Sequence, residues 1–238
     1  MTPNQFEILS SIRKNTITIV EGIAGTGKNF VSAAEALRVL LSDGKKDTWC
    51  KGILCVRPAV GTGNDVGFMP GPLDEKVAFY IEPLRDIFVN LLKKNAGKEA
   101  ARDAEKMLKK LEAEAISFTI PLYMRGKTLD NSFIILDEAQ NFTTTEMKML
   151  LTRIGRRSRV IICGDTDQSD QRRDNGLRET ISRIGGLKKV GVVRTTFDDI
   201  MRSDIVGDIL RVWDGPSLEE IFPPVEYFTP KGYTKGID

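Results

Sequence analysis

The stretch Ile17–Phe30, ITIVEGIAGTGKNF, constrains this chain more than any other. It opens as a β-branched apolar run, Ile17 to Val20, which suits a buried strand. It then breaks at Gly22, Gly25 and Gly27, and Lys28 follows at once. From Val31 to Leu41 apolar residues recur at helical spacing. Strand, glycine-rich turn, lysine and helix is the order a phosphate-binding loop requires. Glycines let backbone N–H groups approach phosphate oxygens. The following helix adds its positive end, and Lys28 adds a mobile cation for the β and γ phosphates. The expected nucleotide contacts are Gly22, Ile23, Ala24, Gly25, Thr26, Gly27, Lys28, Asn29 and Phe30.

One position departs from the pattern. The residue after the lysine is normally Ser or Thr, whose hydroxyl ligates Mg²⁺. Here it is Asn29. An amide oxygen is a hard, neutral ligand that Mg²⁺ accepts, but its reach differs, and near-octahedral Mg²⁺ tolerates misplacement poorly. Nucleotide binding is therefore better supported than efficient hydrolysis.

Two further strand ends carry polar side chains. Phe133–Leu136 is a short apolar strand, and Asp137 and Glu138 follow it directly. Ligands of open parallel sheets bind at the carboxyl ends of strands. There Asp137 can hold Mg²⁺, and Glu138 can orient and deprotonate an attacking water. Asn29 and Asp137 are thus the expected metal residues. The second end is Ile161-Ile162-Cys163-Gly164-Asp165-Thr166-Asp167-Gln168, where Gln168 is placed to meet a γ-phosphate or the lytic water.

The rest of the chain fits one α/β domain. Its 238 residues suffice for a single core with an insertion. Thr2–Asn15 reads as an amphipathic helix with Phe6, Ile8, Leu9 and Ile12 on its apolar side. Lys51–Val56 is a second strand, and Gly61–Leu73 a long Gly- and Pro-rich loop. Asp74–Lys94 is helical, with a stripe of Val77, Tyr80, Ile81, Leu84, Ile87, Phe88 and Leu91. Asn95–Ala115 alternates charges around a narrow seam of Met107, Leu108 and Leu111, which reads as a solvated helix in an insertion. Ala115–Thr119, Arg159–Cys163 and Val190–Val193 are further strands. Thr143–Ile154, Leu177–Ile184 and Asp204–Val212 are helices. Continuous apolar strands alternating with helices mean a parallel sheet covered on both faces. The expected division is a domain over 1–213, with a helical insertion near 95–115, and a tail over 214–238.

Composition excludes several chemistries. There is no histidine, and Cys50, Cys55 and Cys163 form no CxxC pair. Histidine acid–base catalysis and the usual zinc sites are ruled out. Met1–Ser10 carries no signal-peptide pattern, and no apolar run is long enough to span a bilayer. The expectation is a soluble cytoplasmic protein with no membrane partner. A net charge of +2, from 35 basic and 33 acidic residues, neither requires nor excludes a polyanion. Local patches must decide. Arg57, Arg125 and Lys127 fall in loops with Phe68 and Tyr123, and basic grooves with aromatic platforms suit single-stranded RNA or DNA. Arg153–Arg159 is a dense basic run, and Arg172-Arg173 adds to it.

The words GIAGTGK, CVRPAV, GFMPGPLDEKV, YMRGKTL, FIILDEAQN, MKMLLTRIG and GDTDQ occur in that order from about Gln5 to Leu210. In this series the chain resembles the PhoH-like family of P-loop ATPases, related to superfamily 1 helicases. The resemblance implies a three-layer RecA-like core, with ATP and Mg²⁺ as cofactors. It makes Gln5 similar to the adenine-recognising Gln upstream of the loop, Asp137 and Glu138 to the Walker B pair, and Gln168 to the γ-phosphate sensor. Asp199-Ile200-Met201-Arg202 resembles an Asp-hydrophobic-hydrophobic-Arg segment with Arg202 as arginine finger. Arg153 is the other candidate for that role. Such helicases hold ATP between two domains, and this chain has room for one. The expectation is therefore a ring-shaped homo-oligomer, with a hexamer favoured, whose neighbour supplies the arginine. The alternative is a weakly hydrolysing ATP-binding switch or scaffold, because of Asn29. A small-molecule kinase is disfavoured by the DEAQ and GDTDQ words.

Overall fold

The computed structural model describes residues 1–42, 49–59, 73–95, 103–168, 175–201 and 203–214. The chain divides into two compact units, residues 1–201 and 202–238. The first unit opens with α1, Pro3–Lys14. The Thr2 hydroxyl accepts from the Gln5 N–H at 3.3 Å, and the Gln5 amide oxygen accepts from the Thr2 N–H at 3.1 Å. This reciprocal pair satisfies two donors that the first turn would otherwise leave free. Ile8 and Ile12 are buried. Phe6, expected on the same side, is exposed, because it lies off the narrow stripe that Ile8 and Ile12 define.

Along the chain follow β1 (Ile17–Glu21), α2 (Lys28–Leu40), β2 (Gly52–Val56), α3 (Leu73–Asn95), α4 (Ala104–Glu114), β3 (Ile116–Thr119) and β4 (Ser132–Leu136). They are succeeded by α5 (Thr144–Leu151), β5 (Arg159–Gly164), α6 (Gly176–Ile184) and β6 (Val190–Arg194). The second unit contributes α7, Asp204–Asp214, an amphipathic helix with Ile205 and Ile209 exposed. Of the loop expected at Gly61–Leu73, residues 61–72, with Phe68, lie outside the described residues and Leu73 begins α3; Arg172, Arg173, Arg202 and the tail from 215 also lie outside them.

The six strands form one sheet in the order β3-β2-β4-β5-β1-β6. Every pairing is parallel, as the apolar strand runs predict. Successive side chains of each strand feed opposite faces. Val20, Ile135 and Ile161 meet Ile8, Val31, Leu84, Phe88 and Leu108 from α1, α2, α3 and α4 on one face. Ile19, Ile134 and Ile162 meet Phe142, Met147, Leu150 and Leu177 on the other, under α5 and α6. Each fully buried Ile, Leu or Phe is worth roughly 1.5–3 kcal/mol relative to exposure.

α3 and α4 are the crossover between the neighbouring strands β2 and β3. α4 is therefore less solvated than its charge pattern suggests. Ala104 and Leu108 are buried, and Leu111 packs against the same core. Arg85 on α3 pins α4 through Glu112 at 2.8 Å and Glu105 at 3.1 Å. Of the seam, only Met107 stands exposed.

Candidate active site

Parallel strands put all their carboxyl ends on one edge. The ends of β4, β5 and β1 lie side by side there. With strands about 4.8 Å apart, the phosphate loop after β1 and the acid pair after β4 stand about 10 Å from one another. β5, ending in Gly164-Asp165, lies between them.

The loop is held by its glycines. Gly22 has φ +148°, and a Cβ there would sit 2.1 Å from the Thr195 hydroxyl oxygen. Its N–H donates to the Gly164 carbonyl at 3.0 Å. Gly25 and Gly27 have φ +87° and +80°, which only glycine adopts at little cost. Between them, Thr26 is fully buried. Its hydroxyl donates to the Ile23 carbonyl at 3.0 Å and accepts from the Thr195 hydroxyl at 3.1 Å. Ile23 and Ala24 complete the turn. Gly27 then starts α2, so the N–H groups of Lys28, Asn29 and Phe30 open the helix. Lys28 Nζ donates to the carbonyls of Gly22 and Ile23. Burial pushes the Lys28 ammonium pKa down, opposed by negative groups that include Asp165, Glu138 and Asp137.

The acid pair is a closed network. Asp137 follows β4 directly, and its N–H donates to the Val56 carbonyl of β2 at 2.9 Å. Asn29 Nδ2 donates to Asp137 Oδ1 at 2.6 Å. Arg57 Nη1 donates to Asp137 Oδ2 at 3.1 Å, and Nη2 to Glu138 Oε1 at 3.4 Å. Gln140 Nε2 donates to Glu138 Oε2 at 2.7 Å, and its amide oxygen accepts from the Asp165 N–H at 3.0 Å. Gln140 therefore ties the acid pair to the end of β5. Burial pushes the Asp137 carboxyl up to about 6, with the Arg57 guanidinium opposing it. Glu138 has φ +52°, which turns its side chain out of the line of the strand.

The site fits a divalent cation. Asn29 Oδ1 is buried and has no hydrogen-bond partner. Its amide N–H₂ already engages Asp137, so the unpartnered oxygen and the Asp137 carboxylate belong to one small cluster. No group of three or more Cys, Asp or Glu that could hold a metal occurs among the described residues. A Mg²⁺ held here by Asn29 and Asp137 would take few protein ligands, with phosphates and water supplying the rest.

Gln5 is buried against the loop. Its Nε2 donates to the Thr26 carbonyl at 3.1 Å, and a Cβ on Gly27 would meet Nε2 at 3.0 Å. Beside it opens a cavity of about 540 Å³, lined mainly by apolar side chains such as Leu9, Phe30, Val31 and Met201, with Gln5 and Gly27 at the loop end. Gln168 is exposed just past β5, where its N–H closes a turn onto the Asp165 carbonyl at 3.3 Å. These residues share the carboxyl edge with the acid pair.

Arg153 does not. The Leu129 N–H donates to the Arg153 carbonyl at 2.9 Å, and the Asn131 N–H to that of Arg156 at 2.8 Å, before β4 and β5 begin. Arg153 and the basic run therefore stand at the opposite edge of the sheet. Arg159 in that run is structural: it lies 5.2 Å from the Trp49 ring centroid and donates to the Ile12 carbonyl. Tyr123 and Arg125 follow β3 on the carboxyl edge, in and after a 3-10 turn at Pro121–Met124, and Lys127 lies further along; all three are exposed. Arg57, expected beside them, is on the acid pair instead.

Four partners escape a reading of the sequence: the acid-pair role of Arg57, Gln140, Thr195, and Asn4, which donates to Asp199 Oδ2 at 2.6 Å. The Arg57 contact follows from β2 lying next to β4, which chain order does not reveal.

The family model described as PhoH-like protein matches residues 1–214. A PhoH-like protein of Bacillus subtilis is 34% identical over 215 residues, covering 90% of this chain and 63% of that relative. A PhoH-like protein of Mycobacterium tuberculosis is 36% identical over 214 residues, covering 89% and 56%. Protein PhoH of Escherichia coli is 36% identical over 211 residues, covering 88% and 56%. The chain thus spans between half and two thirds of the length of these relatives. A phosphate loop after β1, an acid pair two strands away and a match over residues 1–214 agree: the chain belongs to the PhoH-like protein family, which is of the P-loop ATPase type.

Proposed function

We propose that this chain binds ATP with Mg²⁺, hydrolyses it, and couples turnover to single-stranded RNA or DNA. The observation that carries the reading is the Asn29–Asp137 bond of 2.6 Å beside the unpartnered Asn29 oxygen. It supports a cation site across from the phosphate loop. Bound Mg²⁺ neutralises charge developing on the β and γ phosphates. Lys28 leaves the loop carbonyls to meet the same phosphates. Glu138 takes the proton of the attacking water, and Gln168 orients it. The cavity beside Gln5 and Phe30 receives the base.

Tyr123, Arg125 and Lys127 support the nucleic-acid half, as an exposed aromatic and two cations. We further propose a homo-oligomer in which a neighbouring copy supplies an arginine to the γ-phosphate. Met1 and Met201 line the base cavity while remaining exposed, which suits a neighbouring copy closing over it. That copy would supply Arg202 or Arg153.

The test is Mg²⁺-dependent ATP binding by the full chain and by Asp137→Asn, followed by turnover with oligo(U) and oligo(dT) across a salt series. Binding that needs Asp137, with stimulation that weakens steeply as salt rises, supports the reading. Stimulation absent even at low salt removes the nucleic-acid half.

One observation favours a second reading, a poorly hydrolysing switch. Both Glu138 oxygens already accept hydrogen bonds, from Arg57 and Gln140. On that reading Asn29→Thr raises a very low turnover several-fold; on the first it changes turnover little.

A further inference from the structure

Arg57 and Asp137 are the first residues past the paired ends of β2 and β4, where Val56 stands opposite Leu136. Strand pairing therefore fixes them side by side. The Arg57 side chain is 23% exposed and forks across both acids, at 3.1 Å and 3.4 Å. Asn29 covers the other Asp137 oxygen, and Gln140 the other Glu138 oxygen. Each carboxylate oxygen of the pair thus already has a donor.

A buried Asp137 carboxylate next to the partly exposed Glu138 needs a counter-charge. The guanidinium supplies one. A divalent cation held by Asp137 would supply two, at the place where Arg57 Nη1 now bonds. Two cations sharing one carboxylate at contact distance repel strongly in a site of low dielectric. Asp137 Oδ1 is less accessible to a cation, since the Asn29 N–H₂ occupies it at 2.6 Å.

We propose that Arg57 is a displaceable counter-ion: it holds Asp137 and Glu138 together, and a divalent cation must take its place on Asp137. Arg57 is then a positioning residue whose contact with Asp137 is broken by metal loading. This rests on the reading of Asp137 as the metal residue. It gives the end of β2 a direct report of whether the site is loaded.

The test uses the full chain without nucleotide and Mn²⁺ alone as probe, by calorimetry and by paramagnetic resonance. Arg57→Ala is expected to bind Mn²⁺ roughly tenfold tighter than the wild type, because a fixed positive charge is removed. Asp137→Asn is expected to lose the site. Equal or weaker Mn²⁺ binding by a folded Arg57→Ala overturns the counter-ion proposal and leaves the ATP reading standing. Unchanged binding by Asp137→Asn overturns both. If Arg57→Ala fails to fold, the wild type answers directly. The Arg57 Nε–H resonance, assigned by its loss in Arg57→Lys, is expected to shift as Mg²⁺ is added, with the midpoint of metal loading. A resonance that stays fixed through saturation overturns the proposal.

Discussion

Asn29 uses the two ends of one amide differently. The N–H₂ bonds Asp137 and the oxygen is left without a partner. A Ser or Thr hydroxyl at this position would combine donor and ligand in one atom. The amide separates them by the width of its plane. Asp137 is the residue whose titration reports on this arrangement. Its carboxyl ordinarily titrates at 3.8, and burial raises it to about 6 in the folded chain. Between roughly pH 4 and 6 the folded state therefore binds a proton that the unfolded state has released. Stability contributed by Asp137 falls as pH rises through that window, by about 3 kcal/mol, and is level above it. Urea midpoints from pH 4 to 7.5 are expected to show this decline in the wild type and lose it in Asp137→Asn. If Asp137 is the metal residue, as proposed, metal-dependent nucleotide binding is expected to run the opposite way and weaken below about pH 6, since the protonated acid is no longer a ligand. Gly22→Ala is a second residue-scale prediction. Its Cβ would lie 2.1 Å from the Thr195 hydroxyl, so loop or Thr195 must move. ATP binding is expected to fall at least tenfold, measured by fluorescent-nucleotide titration, while Thr195→Ala in the same chain restores part of it.

At the scale of elements, α1 and α2 are joined through one buried carboxylate. Glu35 is 2% exposed and accepts bidentate bonds from Arg13 on α1 and Arg38 on α2. Burial alone would raise its pKa, but the two guanidinium groups hold it down at about 2. The stability it contributes is present above its unfolded pKa and is lost as pH falls toward 2. Glu35→Gln removes the charge and leaves two arginines facing an amide. Both arginines are more than half exposed, which moderates the penalty, so the expected loss is about 2 kcal/mol by chemical unfolding at pH 7. α5 offers a separate check. Thr143 and Glu146 form a capping box, and Thr143→Ala is expected to cost about 1 kcal/mol. These elements differ in how openly the chain declares them. Apart from β3, which runs Ile116–Thr119 into Ile120-Pro121, the strands are legible because each is an apolar run ended by Gly, Asp or Arg. The phosphate loop is legible because its glycines and lysine have no cheaper use together. α4 is read less well, because a seam three residues wide on a charged helix looks solvated until its partner α3 is known. The acid-pair contact of Arg57 is hidden for a related reason. It depends on β2 lying beside β4, and that adjacency is a property of the whole sheet.

At the scale of the molecule, one parallel sheet carries two separate sets of charge on its two edges. The carboxyl edge gathers the phosphate loop, the acid pair, Gln168 and Tyr123. The opposite edge holds Arg153 and Arg156, whose backbone is fastened to residues 129–131. Arg153 thus lies on the edge away from the phosphate loop of its own chain. Among the described residues, no helix is long and apolar enough to cross a membrane. The proposed function makes Glu138 the base at an ATP site built on Lys28 and Asp137. The most direct test is steady-state phosphate release from Mg·ATP by the wild type and Glu138→Gln, with nucleotide binding measured on the same samples. Glu138→Gln is expected to bind ATP within a few-fold of the wild type while turnover drops at least a hundredfold. Turnover that survives the substitution would contradict this reading, and would move the catalytic base away from the end of β4.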